Sequence, residues 1–412
     1  MSKISKKLPG VIKKYLREWV VLCLVLFLMA IYLFPSRKAC QFGEEFLNKN
    51  ASLKEAMFYE KLGDYKVRCT LCPWRCELKD RQRGFCHARI NIKGKLYSEV
   101  YGKTFFGTLN YGSWGLIYSA MKSNILTIGS PGCNMRCNFC LSWTISTADP
   151  EEVESLDFKK ASELSSLPEM KFGLNFKLSP QDIITTANKF NYKIISFSLT
   201  ESTINYEYLL DVSKLARKNG LVTVLCTNGY INEAPLKELL KYVDGVSLGL
   251  KGFNNDVYHK YTQADLEPVL KSLLVLKKEG VPFEISYPLI PGVNDDAAQI
   301  ADMCLWIKNN LGKDTMLNFY RYIPSYRLIG LPPTPVETME NAKKIANNIG
   351  LKHVYVSYLS NKIDPNFEQK IFCPNCNNLV LSRKGAYNIL VNNIVKGKCK
   401  FCGEKISFII VN

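Results

Sequence analysis

The stretch Ile125-Leu126-Thr127-Ile128-Gly129-Ser130-Pro131-Gly132-Cys133-Asn134-Met135-Arg136-Cys137-Asn138-Phe139-Cys140 decides how this chain is read. An apolar run of strand character feeds a loop whose cysteines are spaced CxxxCxxC, with an aromatic residue before the last. A zinc site usually takes four ligands in pairs two to four residues apart. No fourth Cys or His lies near, the closest upstream cysteine being Cys86. A cubane [4Fe-4S] cluster has four irons, so thiolates from Cys133, Cys137 and Cys140 leave one iron open. Ferredoxin-type clusters are closed by four cysteines and only pass electrons. An open iron points instead to chemistry at the cluster.

Outward from this loop, strands alternate with helical stretches, the signature of a parallel sheet or barrel. Strands are expected at Ile125–Gly129, Lys193–Leu199, Leu221–Cys226, Val243–Leu250, Phe283–Leu289, Met316–Arg321 and His353–Tyr358. Helical periodicity covers Gln181–Phe190, Ile204–Asn219, Ala234–Lys241, Leu266–Lys278, Asp296–Asn310 and Val336–Asn348. Gly220, Gly280 and Gly350 follow three of these as C-terminal stops. The site should gather at the C-terminal ends of the strands.

The cysteine pattern resembles that of the radical SAM superfamily. The resemblance implies an α/β fold with a partial (β/α) barrel, and S-adenosylmethionine (SAM) chelating the fourth iron through its amino and carboxylate groups. It places Phe139 against the cluster. At Leu199-Thr200-Glu201-Ser202-Thr203 it makes Glu201 the holder of the SAM amino group; a helix N-terminal acid is the plain alternative. Cys226-Thr227-Asn228-Gly229-Tyr230 and Leu248-Gly249-Leu250-Lys251-Gly252-Phe253 resemble Thr-Asn-Gly and Asp-Leu-Lys-Gly stretches of the activating-enzyme branch. Asn228 and Lys251 then face the SAM ribose or carboxylate, although Lys251 also fits a solvated strand-end lysine. Ile290-Pro291-Gly292-Val293-Asn294-Asp295 supplies a turn into the next helix beneath the adenine side.

Arg68-Cys69-Thr70-Leu71-Cys72-Pro73-Trp74-Arg75-Cys76 and Arg83-Gly84-Phe85-Cys86 narrow the likeness. With Glu201–Tyr208, Leu331–Pro335 and the closing cysteine pairs, they resemble the radical SAM protein of the AmmeMemoRadiSam system, related to pyruvate formate-lyase activating enzymes. The match runs from about Lys66 to the C-terminus. Departures are Thr200-Glu201-Ser202-Thr203 for Asn-Glu-Pro-Thr, Gly249 for Asp, and Trp74, Asn318 and Ile323 for His. Only His87, His259 and His353 remain in the chain, so candidate acid–base groups are few.

Eleven of the fifteen cysteines fall in three groups of metal-ligand spacing, while Cys23, Cys40, Cys226 and Cys304 stand alone. Cys373, Cys376, Cys399 and Cys402 form a ribbon pattern suited to structural zinc, with an auxiliary cluster as runner-up. Cys69, Cys72, Cys76 and Cys86 are less regular and leave zinc, a second cluster or free thiols open. The pattern reads as metal binding in a reducing compartment rather than a disulfide framework.

The net charge of +17 is spread thinly outside the N-terminus, so no nucleic-acid partner is expected. The expected organisation is a basic segment 1–18, a membrane anchor helix 19–36, a helical spacer 37–65, a Cys-rich module 66–118, the barrel 119–360 and a zinc-ribbon-like module 361–412. Within the spacer, Gly43 to Leu62 has helical apolar spacing. Residues Val20 to Phe34 are apolar without charge, and Trp19, Tyr15 and Tyr32 extend them at the interfaces. The stretch after them lacks a small-x-small cleavage site, which favours an uncleaved anchor over a signal peptide. Flanking charges would put the bulk of the chain outside; cluster chemistry argues for the cytoplasmic face. Segment 149–178 is an irregular insertion, either a lid or a surface loop.

The resemblance implies an external electron donor of flavodoxin or ferredoxin type, and a 5′-deoxyadenosyl radical that abstracts hydrogen. The substrate is then a protein, or a small or lipid-like molecule. A non-catalytic, membrane-tethered iron–sulfur protein is the remaining reading.

Overall fold

The computed structural model describes residues 53–108, 125–151, 171–175, 178–357, 368–384 and 388–406. Its centre is one nine-stranded sheet made of β1 (Thr104–Thr108), β2 (Ile125–Gly129), β3 (Lys171–Asn175), β4 (Ile194–Phe197), β5 (Val222–Thr227), β6 (Gly245–Gly249), β7 (Phe283–Leu289), β8 (Met316–Arg321) and β9 (His353–Ser357). The order is β9-β8-β7-β6-β5-β4-β2-β1-β3. Seven strands, β2 and β4 to β9, run parallel; β1 pairs antiparallel with β2, and β3 antiparallel with β1. Ile128, Phe197, Leu225, Val246 and Phe283 form one register row across five of them. Every residue of β2, β4, β6 and β9 is buried. Such continuous apolar runs are what a parallel sheet covered on both faces requires.

The cover is helical: α1 (Pro180–Lys189), α2 (Tyr206–Lys218), α3 (Glu233–Leu240), α4 (Asn255–Thr262), α5 (Leu266–Glu279), α6 (Ala297–Asn310) and α7 (Val336–Ile349). Their starts are written in side chains. Ser179 and Asp182 close a capping box on α1, and Asp296 accepts from Gln299 N–H on α6. Gly280 and Gly350 end α5 and α7 at φ 70° and 101°, the left-handed conformation that stops a helix. All seven expected strands and all six expected helices are present. Helix α4 was not foreseen: it buries only Val257, Tyr258 and Thr262, too few for an apolar stripe to show.

Two expected elements change. The helical pattern from Gly43 to Leu62, and with it the helical spacer 37–65, fails in its described part, where Lys54–Glu55 and Tyr59–Gly63 are strands. Phe58 leaves helical space at φ 57° and packs its ring edge-on against Tyr206, 5.1 Å away. Tertiary packing therefore overrides local periodicity. In the insertion 149–178, Lys171–Asn175 is no irregular loop but strand β3 on the sheet edge, paired to β1.

The Cys-rich module is two small antiparallel sheets. One pairs Lys54–Glu55, Lys95–Ser98 and Arg89–Ile92; the other pairs Tyr59–Gly63, Lys66–Cys69 and Glu77–Leu78. Asn91 to Gly94 makes the expected hairpin turn, with Lys93 and Gly94 at φ 50° and 79°. The module therefore begins before Lys66 and ends before Thr104, which already belongs to the central sheet.

The C-terminal unit pairs Glu368–Phe372, Leu379–Lys384 and Asn388–Asn392, with a two-stranded ladder of Ile394–Val395 and Lys398–Cys399. Its Ile371, Val380, Leu381 and Ile406 share one apolar cluster with Ile125, Ile194, Val224, Met316 and Tyr355. Ile125, Ile194 and Met316 are the first residues of their strands, so the ribbon caps the N-terminal end of the sheet. The expected anchor 19–36 lies outside the described residues; among the described residues, no helix is long and apolar enough to cross a membrane.

Candidate active site

The C-terminal ends of the strands surround a cavity of about 1020 Å³, its open mouth included. Cys133, Cys137, Phe139 and Cys140 enter it from the loop after β2, and Leu199, Thr200 and Glu201 follow β4. Cys226, Thr227 and Asn228 come from the end of β5, Gly249 and Lys251 from β6, and Tyr320, Tyr322 and Ile323 from β8. The sequence-selected residues Cys133, Cys137, Cys140, Phe139, Glu201, Asn228 and Lys251 thus meet in one place.

The cysteine loop is pinned by backbone rather than regular structure. Arg136 N–H and Asn138 N–H donate to Thr262 and Tyr261 carbonyls at 2.8 Å each, which gives α4 its purpose. Ser325 Oγ donates to Phe139 C=O at 3.0 Å. The Phe139 ring is buried with Ile290 and Tyr322. Cys133 Sγ accepts from Met135 N–H at 3.4 Å and faces Asn228 Nδ2 at 3.8 Å; Cys140 Sγ lies 3.3 Å from Ser146 Oγ. Burial pushes all three thiols above the ordinary value, Cys137 to about 12. Loading a metal must then displace their protons, which couples occupancy to pH. The donors aimed at these sulfurs and the nearby ammonium of Lys251 suit a set of anionic thiolates.

Lys251 is half-buried. Burial works against its charge, yet Tyr320 and the sulfurs of Cys137, Cys140 and Cys133 hold its pKa above the usual lysine value. An ideal Cβ on Gly249 would lie 2.6 Å from Lys251 Nζ. The place of the acid expected in relatives is therefore taken by the ammonium itself. Among the described residues no carboxylate pairs with Lys251. Asn294 Nδ2 holds the Lys251 carbonyl at 2.9 Å and the Pro288 carbonyl at 2.7 Å, fixing the Ile290–Asn294 turn to this wall.

Glu201 lines the cavity, but its carboxylate is already engaged. Oε1 accepts from Thr203 Oγ1 and Thr227 Oγ1 at 2.7 Å each, and Oε2 from Asn228 N–H at 2.6 Å. Burial raises its pKa and these hydrogen bonds oppose the rise. It also caps the helical turn Ser202–Asn205, so the plain alternative is realised together with the cavity position. Asn228 is similarly committed, donating to Asn134 Oδ1 at 2.9 Å and accepting from Tyr230 N–H at 2.9 Å. Asn134 in turn donates to Tyr230 C=O at 2.7 Å. This lattice ties the cysteine loop to the end of β5.

Sequence reasoning passed over Asn134, Ser146, Tyr320 and Cys226. Asn134 was inside the motif and Tyr320 sits at a strand's C-terminal end, so position alone would have found both. None of the three histidines lines the cavity: His87 pairs with Asp149, His259 with Asp265, and His353 is buried in β9. Where relatives were expected to have His, Trp74 donates to Asn134 C=O at 2.8 Å, Ile323 lines the cavity, and Asn318 is buried in β8.

The outer cysteines form two further groups. Sulfurs of Cys373, Cys376, Cys399 and Cys402 all lie within 4.8 Å of one another, close enough for one tetrahedral ion. Asn378 lowers Cys376 by hydrogen bonds, while burial raises Cys373. Cys69, Cys72, Cys76 and Cys86 also converge. Burial lifts Cys72 well above its ordinary value, and the charges of Cys69, Cys86 and Cys76 act in the same direction.

The profile of the Radical SAM superfamily matches residues 127–304. The chain is 37% identical over 361 residues to an uncharacterized protein of Methanocaldococcus jannaschii, covering 87% of this chain and 100% of that one. Pyruvate formate-lyase 1-activating enzyme of Escherichia coli is 26% identical over 38% of this chain and 68% of its own. The (2S)-3-sulfopropanediol dehydratase activating enzyme of Klebsiella oxytoca is 25% identical over 39% of this chain, and the match spans about half of that enzyme, 52%. A domain of a pyruvate-formate lyase-activating enzyme from Bacteroides vulgatus superposes with a TM-score of 0.36 at 20% identity, over 39% of this chain and 97% of that domain. A superfamily profile that spans the cysteine loop and a relative aligned along its whole length agree with the parallel sheet: the chain belongs to the radical SAM superfamily and is related to the pyruvate formate-lyase activating enzymes.

Proposed function

We propose that this protein reductively cleaves SAM and directs the resulting radical at a hydrogen atom of another protein, as an activating or modifying enzyme. The observation that carries the reading is the convergence of Cys133, Cys137 and Cys140 on one cavity beside the ammonium of Lys251, which pairs with no carboxylate among the described residues. A [4Fe-4S] cluster held by these three cysteines would supply one electron to the SAM sulfonium, whose S–C5′ bond breaks to leave methionine and a 5′-deoxyadenosyl radical. The chain's own residues do the positioning. Lys251 offers a cation to the methionine carboxylate, worth about 1.5–3 kcal/mol for a hydrogen bond to a charged group. Glu201 holds Thr203, Thr227 and Asn228 in place and presents a carboxylate edge to an ammonium. Phe139 and Tyr322, backed by Ile290, give the cavity an apolar side, as a site with a reactive intermediate requires.

The Cys-rich module, the Leu331–Pro335 segment and the closing cysteine pairs support assignment to the AmmeMemoRadiSam type. Zinc is our choice for the closing pairs, and a flavodoxin- or ferredoxin-type protein for the electron donor. The apolar run Val20–Phe34 favours a second reading, a lipid-like substrate handled at the cytoplasmic face of a membrane. Anaerobic reconstitution with SAM and dithionite tests the chemistry. The intact protein should release 5′-deoxyadenosine and Cys137→Ala none; a fully loaded cluster without cleavage would overturn the proposal. Deuterium carried from labelled candidate proteins or lipids into 5′-deoxyadenosine then separates the two substrate classes.

A further inference from the structure

We propose that Cys69, Cys72, Cys76 and Cys86 hold a second iron–sulfur cluster, closed by four thiolates and set directly behind the Cys133–Cys140 loop. Three features of the fold carry this. The first is a built cradle. Cys69 ends its strand and its N–H donates to Cys76 C=O at 3.0 Å, while Gly84 N–H donates to Arg89 C=O at 2.9 Å and so brings Cys86 back over the turn. An ideal Cβ on Gly84 would lie 3.8 Å from Cys76 Sγ and 3.9 Å from Cys86 Sγ. The Gly84 backbone thus backs directly onto two of the sulfurs.

The second feature is spacing. Four sulfurs around one zinc, at Zn–S of about 2.3 Å, sit about 3.8 Å apart. The C-terminal set meets that geometry, with all four within 4.8 Å. Among the described residues no other three cysteine sulfurs do, although these four lie near enough for the charges of Cys69, Cys76 and Cys86 to act on Cys72. The irons of a cubane project their thiolates outward, so a cluster needs the wider set. Buried Arg89, ion-paired with Glu207, also holds Nη1 4.0 Å from Cys69 Sγ, where it can donate a hydrogen bond to an anionic cluster.

The third feature is place. A Cβ on Gly132 would overlap the Cys86 carbonyl oxygen, so the two cysteine groups meet backbone to backbone. Trp74 stacks on Phe85 at 4.2 Å and donates to Asn134 C=O at 2.8 Å. Arg136 lies over the other partner of that stack, 4.2 Å from the Phe85 ring. Four-cysteine clusters pass electrons. This one takes one electron from a low-potential flavodoxin- or ferredoxin-type donor, which is oxidised by one electron, and gives it to the site across Gly132. That destination rests on the function proposed above; the presence of the second cluster does not.

Iron, sulfide and zinc are counted in the anaerobically reconstituted full chain, in Cys69→Ser/Cys72→Ser, and in Cys133→Ala/Cys137→Ala/Cys140→Ala. With about four irons per cubane, the intact chain should hold about eight and each variant about four. The reduced triple variant should retain an electron paramagnetic resonance signal that SAM leaves unchanged. About four irons with a second zinc in the intact chain, or four thiols open to Ellman's reagent, would overturn the proposal. If the double serine variant does not fold, the intact chain and the triple variant decide alone. With the protein donor, the double variant should lose at least about tenfold in 5′-deoxyadenosine release while dithionite still drives it. Equal loss with both reductants would overturn the relay. No cleavage in the intact chain with the second cluster present would count against the proposed function and not against this site.

Discussion

At Gly132 a hydrogen stands where any other residue would carry a carbon. The backbone there has φ 87°, a conformation L side chains rarely adopt, and the Cys86 carbonyl blocks the space a Cβ would need. Gly132→Ala should cost about 1–3 kcal/mol from backbone strain alone. Thermal unfolding of the metal-free chain measures it, and an unchanged midpoint would contradict the packing described. His353 makes a different prediction. Burial lowers its pKa below 6.5, so as pH falls the unfolded chain takes up the proton before the folded chain does. Its contribution to stability is intact above about 6.5 and declines as pH falls from there toward the folded-state value. His353→Gln should flatten that part of the stability profile, read as midpoint against pH.

At the scale of elements, strands were legible because a covered parallel strand is a largely apolar run, and β2, β7 and β8 begin and end at the expected residues. Helices α1, α5, α6 and α7 carried both a stripe and a stop or cap. What escaped was set by distant partners. Phe58 and the strands around it depend on Tyr206, and α4 exists to receive the backbone of the cysteine loop. The engagement of Glu201 and Asn228 was equally invisible, since the motif gave their positions but not their hydrogen bonds. The join between the Cys-rich module and α2 is another such feature. Buried Arg89 donates to Glu207 Oε1 at 2.6 Å and to the Met57 carbonyl at 2.9 Å, and Met57 N–H returns to Glu207 at 2.7 Å. Arg89→Met leaves the buried Glu207 carboxylate without its cation and should cost about 3–5 kcal/mol. In chemical denaturation, the double variant Arg89→Met/Glu207→Leu should recover much of that loss; no recovery would mean the pair is not the cause.

Over the whole molecule, three cysteine groups lie along the chain in two settings. Two sit at the C-terminal ends of the strands and share the loop at Gly132, while the third closes the opposite end. Removing metal from the ribbon should therefore loosen the sheet without touching the cavity. Cys376→Ser should lower the unfolding midpoint of the whole described unit, because the ribbon's Ile371, Val380, Leu381 and Ile406 form one core with the strand starts. Iron content at full loading should not change. A separate, lower transition for the ribbon, with the main midpoint unmoved, would contradict this shared core.

The ribbon also has a consequence for synthesis. Residues 368–406 leave the ribosome after every strand of the sheet, at about 5–20 residues per second. Until they arrive, Ile125, Ile194, Val224, Met316 and Tyr355 lack the packing that Ile371, Val380, Leu381 and Ile406 give them. The nascent chain must wait with an apolar floor open to the cell, a target for chaperones. If the last cysteines take a metal as proposed, its capture becomes a timing event in biogenesis, setting when the ribbon closes on that end of the sheet.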